Sequence, residues 1–447
     1  MSNITLLGAG SASFAIELIR DLCDTDDLAG SRMTLMDIDE SRLEVARTLA
    51  ERYRDEIGAD LSFESTTSRQ KALEGAEFVI CAVKVGGYGP LEKERKIAEE
   101  RGYYRGVGDR VSCYWGGIGA YHQFTFLLEL ARDMERYCPD AWLVQTANPV
   151  FDGTNIVTRQ TKVKAVGICH GHFMVKRLID AVGLDESVVS AHMAGVNHYI
   201  WLTSLFHREQ DAYPLIDDWI ENQAPALWET GEYNEQLSPG AVDAYRLYGL
   251  FPIGDTVRSG TPWWHHVDFA TKERWYGTDG GFDSEVGWNR YLDKKVVQGR
   301  ELAELAKDPE ASIRERFKPT GRNEQHIPFV RAVAANKETK LQLNVPNKGA
   351  LPGVADDVLV EIPALVNKTG IQNLMLDPMP AKVMNQVITP RILAMENLYQ
   401  AYVEHDRTTL VLMVANDPRT QSFEQAKELV DTLLAQPWNK KADMHYR

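Results

Sequence analysis

An apolar stretch that breaks at two glycines and restarts as a helix, "ITLLGAGSASF", precedes a second apolar stretch that stops at an acid, "MTLMD". Together they leave the chain few folds to adopt. Apolar runs that are continuous rather than alternating belong to strands covered on both faces. A helical segment lies between the two, so the strands are read as parallel and joined by a crossover. The pattern recurs through a helix over "SRLEVARTLAERYRDEI" and the runs "FVICAV", "WLVQTAN" and "KAVGIC". A doubly wound, Rossmann-like parallel sheet is therefore expected over residues 1–186, its last run ending near Cys169. Residues 187–447 change texture to polar helices, aromatic clusters and the loop-rich "LQLNVPNKGALPGVADDVLVEIPA". They predict a mixed α+β domain for substrate binding and oligomerisation, packed on the first with no low-complexity linker between them.

Composition narrows the function classes. With 447 residues, 44% hydrophobic and 25% charged, the chain is long enough for two large units and has the make-up of a soluble globular protein. No apolar run nears the roughly 20 residues a bilayer needs, and "MSNITLLGAG" enters a strand without a basic leader, so a cytoplasmic protein is expected. A net charge of −15 disfavours nucleic acid and anionic membranes as partners. Five cysteines, scattered and without C-x-x-C spacing, predict neither a disulfide framework nor a structural zinc site.

The glycine turn is the first candidate site. Gly8, Gly10 and Ser11 sit between a strand and a helix, where backbone N–H groups and the helix N-terminus face a pyrophosphate. Ser13 stands where a third glycine is usual, and a lone G-x-G is also what any tight turn uses. Asp37 has the spacing of an acid that accepts from an adenosine ribose, which favours NAD over NADP. Its other reading is the cap of the next helix, a role Asp39 is equally placed to fill. Val85, after "FVICAV", joins Gly8, Gly10, Ser11 and Asp37 as a candidate cofactor contact.

"VGICHGHF" holds the second. Cys169 at a strand end is either a small core residue or part of a metal or nucleophile constellation, since ligands bind at strand ends of α/β sheets. The tripeptide alone leaves both readings open.

The order of "GAGSASF", "DIDESRLEV", "FVICAVKVGG", "GGIGA", "TANPV", "GICHGH", "AGVNHYIWL", "GDTVR" and "NKGALPGVADDVLVEIPA" resembles the family 4 glycoside hydrolases over most of the chain. Those NAD- and divalent-metal-dependent glycosidases are an exception to two-carboxylate hydrolysis. The resemblance implies Cys169 and His198 as ligands of a catalytic metal, usually manganese, and Asn148 as a sugar contact. It implies Asp255 as base and Arg258 as substrate contact. His170 matches members acting on unphosphorylated α-glycosides, and the continuation Gly171-His172 resembles the branch that cleaves α-glucuronides or α-galacturonides. It also implies a homodimer or homotetramer. Two departures bear on the sugar's C5 substituent: "GVGDRVSCYWGGIGA", where Asp109 replaces the usual acid beside Tyr114 and Trp115, and the absence of an Arg after "VGG", with Lys84 before it.

The chemistry implied is a hidden redox cycle. Oxidation of the sugar at C3 makes the C2 hydrogen acidic; a base removes it, the aglycone leaves C1, water adds and the hydride returns. One thiolate and one imidazole leave open metal positions for the sugar oxygens. His170 is a candidate to protonate the leaving group, or a supporting residue around the metal. His172 is a candidate sugar contact, Asn197 orients the sugar or closes a turn, and Asp255 with Arg258 also reads as a salt bridge. Trp263, Trp264, His265 and His266 line a sugar site or complete a core or interface. Against the glycosidase stand the same reaction on neutral α-glucosides or α-galactosides, a dehydrogenase of a sugar or hydroxy acid, and an NAD-sensing protein without turnover.

Overall fold

The computed structural model describes residues 1–11, 13–105, 120–318 and 324–447. Asp109, Tyr114 and Trp115 lie outside them. Strands β1 (Asn3–Leu7), β2 (Ser31–Met36), β3 (Leu61–Thr66), β4 (Phe78–Cys81), β5 (Trp142–Gln145) and β6 (Lys164–Gly167) pair in parallel in the order 3-2-1-4-5-6. This is the doubly wound arrangement expected, in which ligands bind beyond the carboxyl ends of the strands. β4 is buried along its whole length and β1 and β6 nearly so, as helices on both faces require. β3 falls in a segment that the apolar pattern passes over. Only Phe63 of its six residues is buried, because it is the edge strand.

The second half extends the same sheet. β7 (Val189–Val196), β8 (Tyr199–His207), β9 (Gln210–Asp211), β10 (Phe251–Ile253), β11 (Thr339–Pro346), β12 (Leu359–Asn367) and β13 (Gly370–Asn373) pair antiparallel. β11 meets β6 at Asn344 and Gly167, and β12 meets β7 at Glu361 and Gly195. One sheet thus carries the end of β6 toward the β7–β8 hairpin, and Cys169 toward His198.

Local chemistry fixes the elements that matter for the site. The helix Glu40–Ile57 starts at Asp39, whose carboxylate accepts from the backbone N–H of Ser41 and Arg42, and ends at Gly58. Such a cap satisfies backbone donors that the first helical turn leaves open. Its buried face of Leu43, Ala46, Leu49, Ala50 and Tyr53 lies in the same core as β1 and β2. The helices Thr389–Glu404, Arg407–Ala415 and Phe423–Leu434 form a separate apolar cluster with Gly89–Glu99. Among the described residues the cysteines Cys23, Cys81, Cys138 and Cys169 are free, and no helix is long and apolar enough to cross a membrane.

Candidate active site

Beyond the carboxyl ends of β1, β4, β5 and β6 opens one continuous cleft of about 2280 Å³. That exceeds the several hundred Å³ of a pocket for one small ligand, and leaves room for a dinucleotide and a sugar together. Gly8, Gly10, Ser11, Asp37, Val85, Asn148, Cys169, His170, His198, Asp255 and Arg258 all line it.

At the dinucleotide end the chain passes so close to itself that a side chain is excluded. A Cβ on Gly10 would stand 2.8 Å from Asp37 Oδ2 and 2.9 Å from Arg42 Cβ. The Gly10 N–H donates to Asp37 Oδ2 at 2.8 Å and the Asp39 N–H to Oδ1 at 3.0 Å. The helix cap is Asp39, so Asp37 is left to face the cleft. The Ser11 hydroxyl is buried without a hydrogen-bond partner among the described residues, an open donor in the turn. The helix Ser13–Cys23 that follows has no acid in its first turn to oppose an anion. Gln123 clamps the loop after β4: its Nε2 donates to the Val83 carbonyl, and its Oε1 accepts from the Val85 N–H. Burial pushes the neighbouring Lys84 ammonium down to about 8. These features fit a dinucleotide.

At the other end three segments converge. Cys169 follows β6, His198 forms the tight β7–β8 turn with φ 63°, and Asp255 follows β10. Gly254 makes the approach possible, since a Cβ there would stand 2.6 Å from the Gly171 carbonyl oxygen. His198 Nε2 lies 3.1 Å from Asp255 Oδ2, and the Arg258 guanidinium bonds the other Asp255 oxygen. Asp255 therefore makes the salt bridge its spacing with Arg258 predicts, while keeping a place on the cleft wall. Burial holds the His198 imidazole below its ordinary value, with Asp255 opposing. Burial, Glu361 and Asp255 together push the Cys169 thiol up. A bound cation reverses that and deprotonates a coordinating thiol. Among the described residues no group of three or more His, Cys, Asp or Glu side chains is placed to hold a metal, and Cys169 with His198 alone would leave positions open on one. The donor set fits a catalytic divalent transition metal.

Several residues that the sequence did not single out hold this arrangement. Glu361, fully buried on β12, accepts from Asn197 Nδ2 at 2.8 Å and Asn344 Nδ2 at 3.3 Å. Burial pushes its carboxyl up to about 7. Glu235 pairs with Arg258 and accepts from the Phe282 N–H. Asp283 lies 4.0 Å from Arg258 and 2.7 Å from the buried Lys272 ammonium. Burial alone raises the Asp283 carboxyl, but Lys272 and Arg258 hold it well below the usual range.

Other candidates fall away from the cleft. Asn197 points at Glu361 and the Cys169 sulfur. His172 bonds the Cys169 carbonyl at 3.2 Å, and burial pushes it down to about 4. Trp263 and Trp264 are about half exposed at the surface, and His265 is buried against Asp243. None of these lines the cleft.

The Family 4 glycosyl hydrolase family model matches residues 3–184, and that of the Family 4 glycosyl hydrolase C-terminal domain matches residues 193–420. An alpha-galacturonidase of Thermoanaerobacter italicus is 24% identical over 96% of this chain and 95% of its own length. The fold resembles a solved putative glucosidase of Bacillus subtilis, with a TM-score of 0.83, 21% identity and coverage of 97% of this chain and 100% of that one. It also resembles a 6-phospho-alpha-glucosidase from gut microorganisms solved with NAD and Mn2+, with a TM-score of 0.77, 17% identity and coverage of 100% and 99%.

Proposed function

The chain belongs to the family 4 glycosyl hydrolases, and from that premise we propose that it cleaves α-linked uronides, galacturonides or glucuronides, with NAD and a divalent metal, manganese first. The observation that carries this reading is the meeting of Cys169, His198 and Asp255 on the wall of a cleft that also receives the Gly8–Gly10 turn and Asp37. The "CHGH" segment and the full-length likeness to an alpha-galacturonidase support the uronide.

When bound, a nicotinamide supplies a reversible hydride acceptor for the sugar's C3, and a cation on Cys169 and His198 supplies Lewis acidity at the neighbouring oxygens. The protein's own residues do the rest. Asp255 removes the C2 proton, its carboxylate aimed by Arg258 and His198. Asn148 and Arg258 hold the sugar, and His170 protonates the departing oxygen. Asp37 accepts from the adenosine ribose, with Ser11 and Val85 beside it.

One observation favours neutral sugars instead. Arg258 is already surrounded by Asp255, Glu235 and Asp283, and Arg290 on the cleft wall is paired with Asp279. A substrate carboxylate must compete with these acids. The deciding experiment offers p-nitrophenyl α-galacturonide, α-glucuronide, α-galactoside and α-glucoside with NAD+, Mn2+ and thiol. A uronide is expected to exceed the neutral sugars in kcat/KM by more than about tenfold, without NADH building up. Preference for a neutral sugar removes the uronide, and NADH formed in step with product would make the protein a dehydrogenase.

The same reading predicts the effect of Asp37→Ser. Loss of a charged acceptor, worth about 1.5–3 kcal/mol, is expected to weaken NAD+ by roughly tenfold or more and to narrow its advantage over NADP+. Fluorescence titration of both nucleotides reads this directly, and unchanged affinities would assign Asp37 to shaping the Gly10 turn alone.

A further inference from the structure

Glu324 stands just before the helix His326–Ala334, and no motif in the sequence singles it out. Its side chain is only 16% exposed, with Oε1 3.6 Å from His170 Nδ1 and Oε2 3.7 Å from His326 Nδ1. The two imidazoles differ sharply. His326 is fully buried, neither ring nitrogen has a hydrogen-bond partner among the described residues, and its ring stands edge-on to Phe14 at 5.4 Å. Burial pushes it down to about 3, so it stays neutral. The side chain of His170 is 72% exposed and lines the cleft. One largely buried carboxyl thus faces a sealed histidine with one oxygen and a cleft histidine with the other.

We propose that Glu324 is the positioning residue of His170: its carboxylate takes the Nδ1 side of the ring and leaves Nε2 turned to the leaving-group oxygen. In other acid–base pairs a carboxylate on one imidazole nitrogen orients the ring and favours its doubly protonated form, the form that carries a proton on the opposite nitrogen to give. At 3.6 Å the pair is not hydrogen bonded, and contacts of this kind commonly tighten only when substrate is seated. His326, packed on Phe14, keeps the carboxyl from turning away. The step served is the elimination. The electron pair left at C2 when Asp255 takes the proton forms the C1–C2 double bond, the C1–O bond breaks, and the departing oxygen keeps that bond's electrons and receives the Nε2 proton. Water then adds across the double bond, its hydroxyl going to C1 and its proton to His170, while Asp255 returns a proton to C2.

This inference rests on the glycosidase reading, and its test separates the two. Methyl α-galacturonide and p-nitrophenyl α-galacturonide, or the galactosides if the neutral sugar is preferred, are incubated in deuterated water with NAD+ and Mn2+. Deuterium at C2 of the recovered substrate is then measured per product formed. In Glu324→Gln, proton removal by Asp255 continues while departure of methanol slows. The intermediate therefore returns to substrate, and exchange per turnover is expected to rise about tenfold or more. Nitrophenolate leaves without a proton, so its ratio should match wild type. Each readout is a ratio within one preparation, so partial misfolding does not move it. In a His170→Asn background, Glu324→Gln should add nothing. An unchanged ratio for the methyl glycoside, an equal rise for both substrates, or an undiminished effect without His170 would overturn the positioning role alone. Wild-type protein inert toward every glycoside would overturn the glycosidase reading and this inference together.

Discussion

A Cys169→Ser protein is expected to lose about a hundredfold or more in Mn2+ affinity and to fall to background activity, while titrating NAD+ as the wild type does. The separation follows from the architecture. Cys169 follows β6, whereas Gly10 and Asp37 bond each other at the ends of β1 and β2. The hydroxyl that replaces the thiol is nearly isosteric but far less acidic, and it would have to ionise among the charges of Asp255 and Glu361. Folding should survive, because Cys169 is only half-buried and its sulfur is outside the apolar clusters. Manganese binding followed by electron paramagnetic resonance gives a readout independent of turnover. Full activity of this variant in metal-depleted buffer would remove the metal from the reaction.

Which parts of this were legible in the sequence follows from the range of the contacts. The turn at Gly8 and Gly10 and the acid at Asp37 are local signals, each fixed by where a strand stops, and the parallel, doubly wound character of the sheet follows from repeated strand–helix alternation, whereas its order 3-2-1-4-5-6 comes from the fold. β3 was not legible, since an edge strand with one buried side chain carries almost no apolar pattern. In the site, Cys169, His198 and Asp255 come from three separated segments, and only the family resemblance brings them into one list before the fold does. Their supports are harder still. Glu235, Glu324 and Gln123 act through partners from about twenty to more than a hundred residues away, which no spacing rule reaches. Glu361 had a signal: a lone acid inside the otherwise apolar strand "VLVEIPA" must be either misplaced or functional, because an unpaired charge is not buried without cause. His172 shows the opposite case. A histidine three residues from a candidate ligand looks like part of the site, yet the short helical turn Gly171–Met174 carries its ring away from the cleft.

The Asp255→Asn variant is expected to lose about 10²- to 10⁴-fold in kcat, the usual contribution of a positioned base, with substrate and metal binding changed far less. Its amide still accepts from Arg258, and Glu235 and Asp283 remain beside that guanidinium, so no cation is stranded. In deuterated water the wild-type product should carry deuterium at C2, because the proton is taken by a carboxylate about one-third exposed on the cleft wall and able to exchange with solvent. Asp255→Asn should depress the rate of label incorporation in step with turnover. If the variant hydrolysed slowly while still labelling C2 at the wild-type rate, the base would be elsewhere and Asp255 would be only the partner that aims Arg258 and His198. Product without any C2 label would leave two mechanisms, direct displacement at C1 or a base shielded from solvent. A C2-deuterated substrate separates them, since a shielded base still shows a primary isotope effect when proton removal limits the rate, whereas displacement never breaks the C2–H bond. Hydrolysis undiminished in protein stripped of NAD would decide against elimination altogether, for without a ketone at C3 the C2 hydrogen is no more acidic than any other on the ring and a carboxylate in the position of Asp255 has no proton to take.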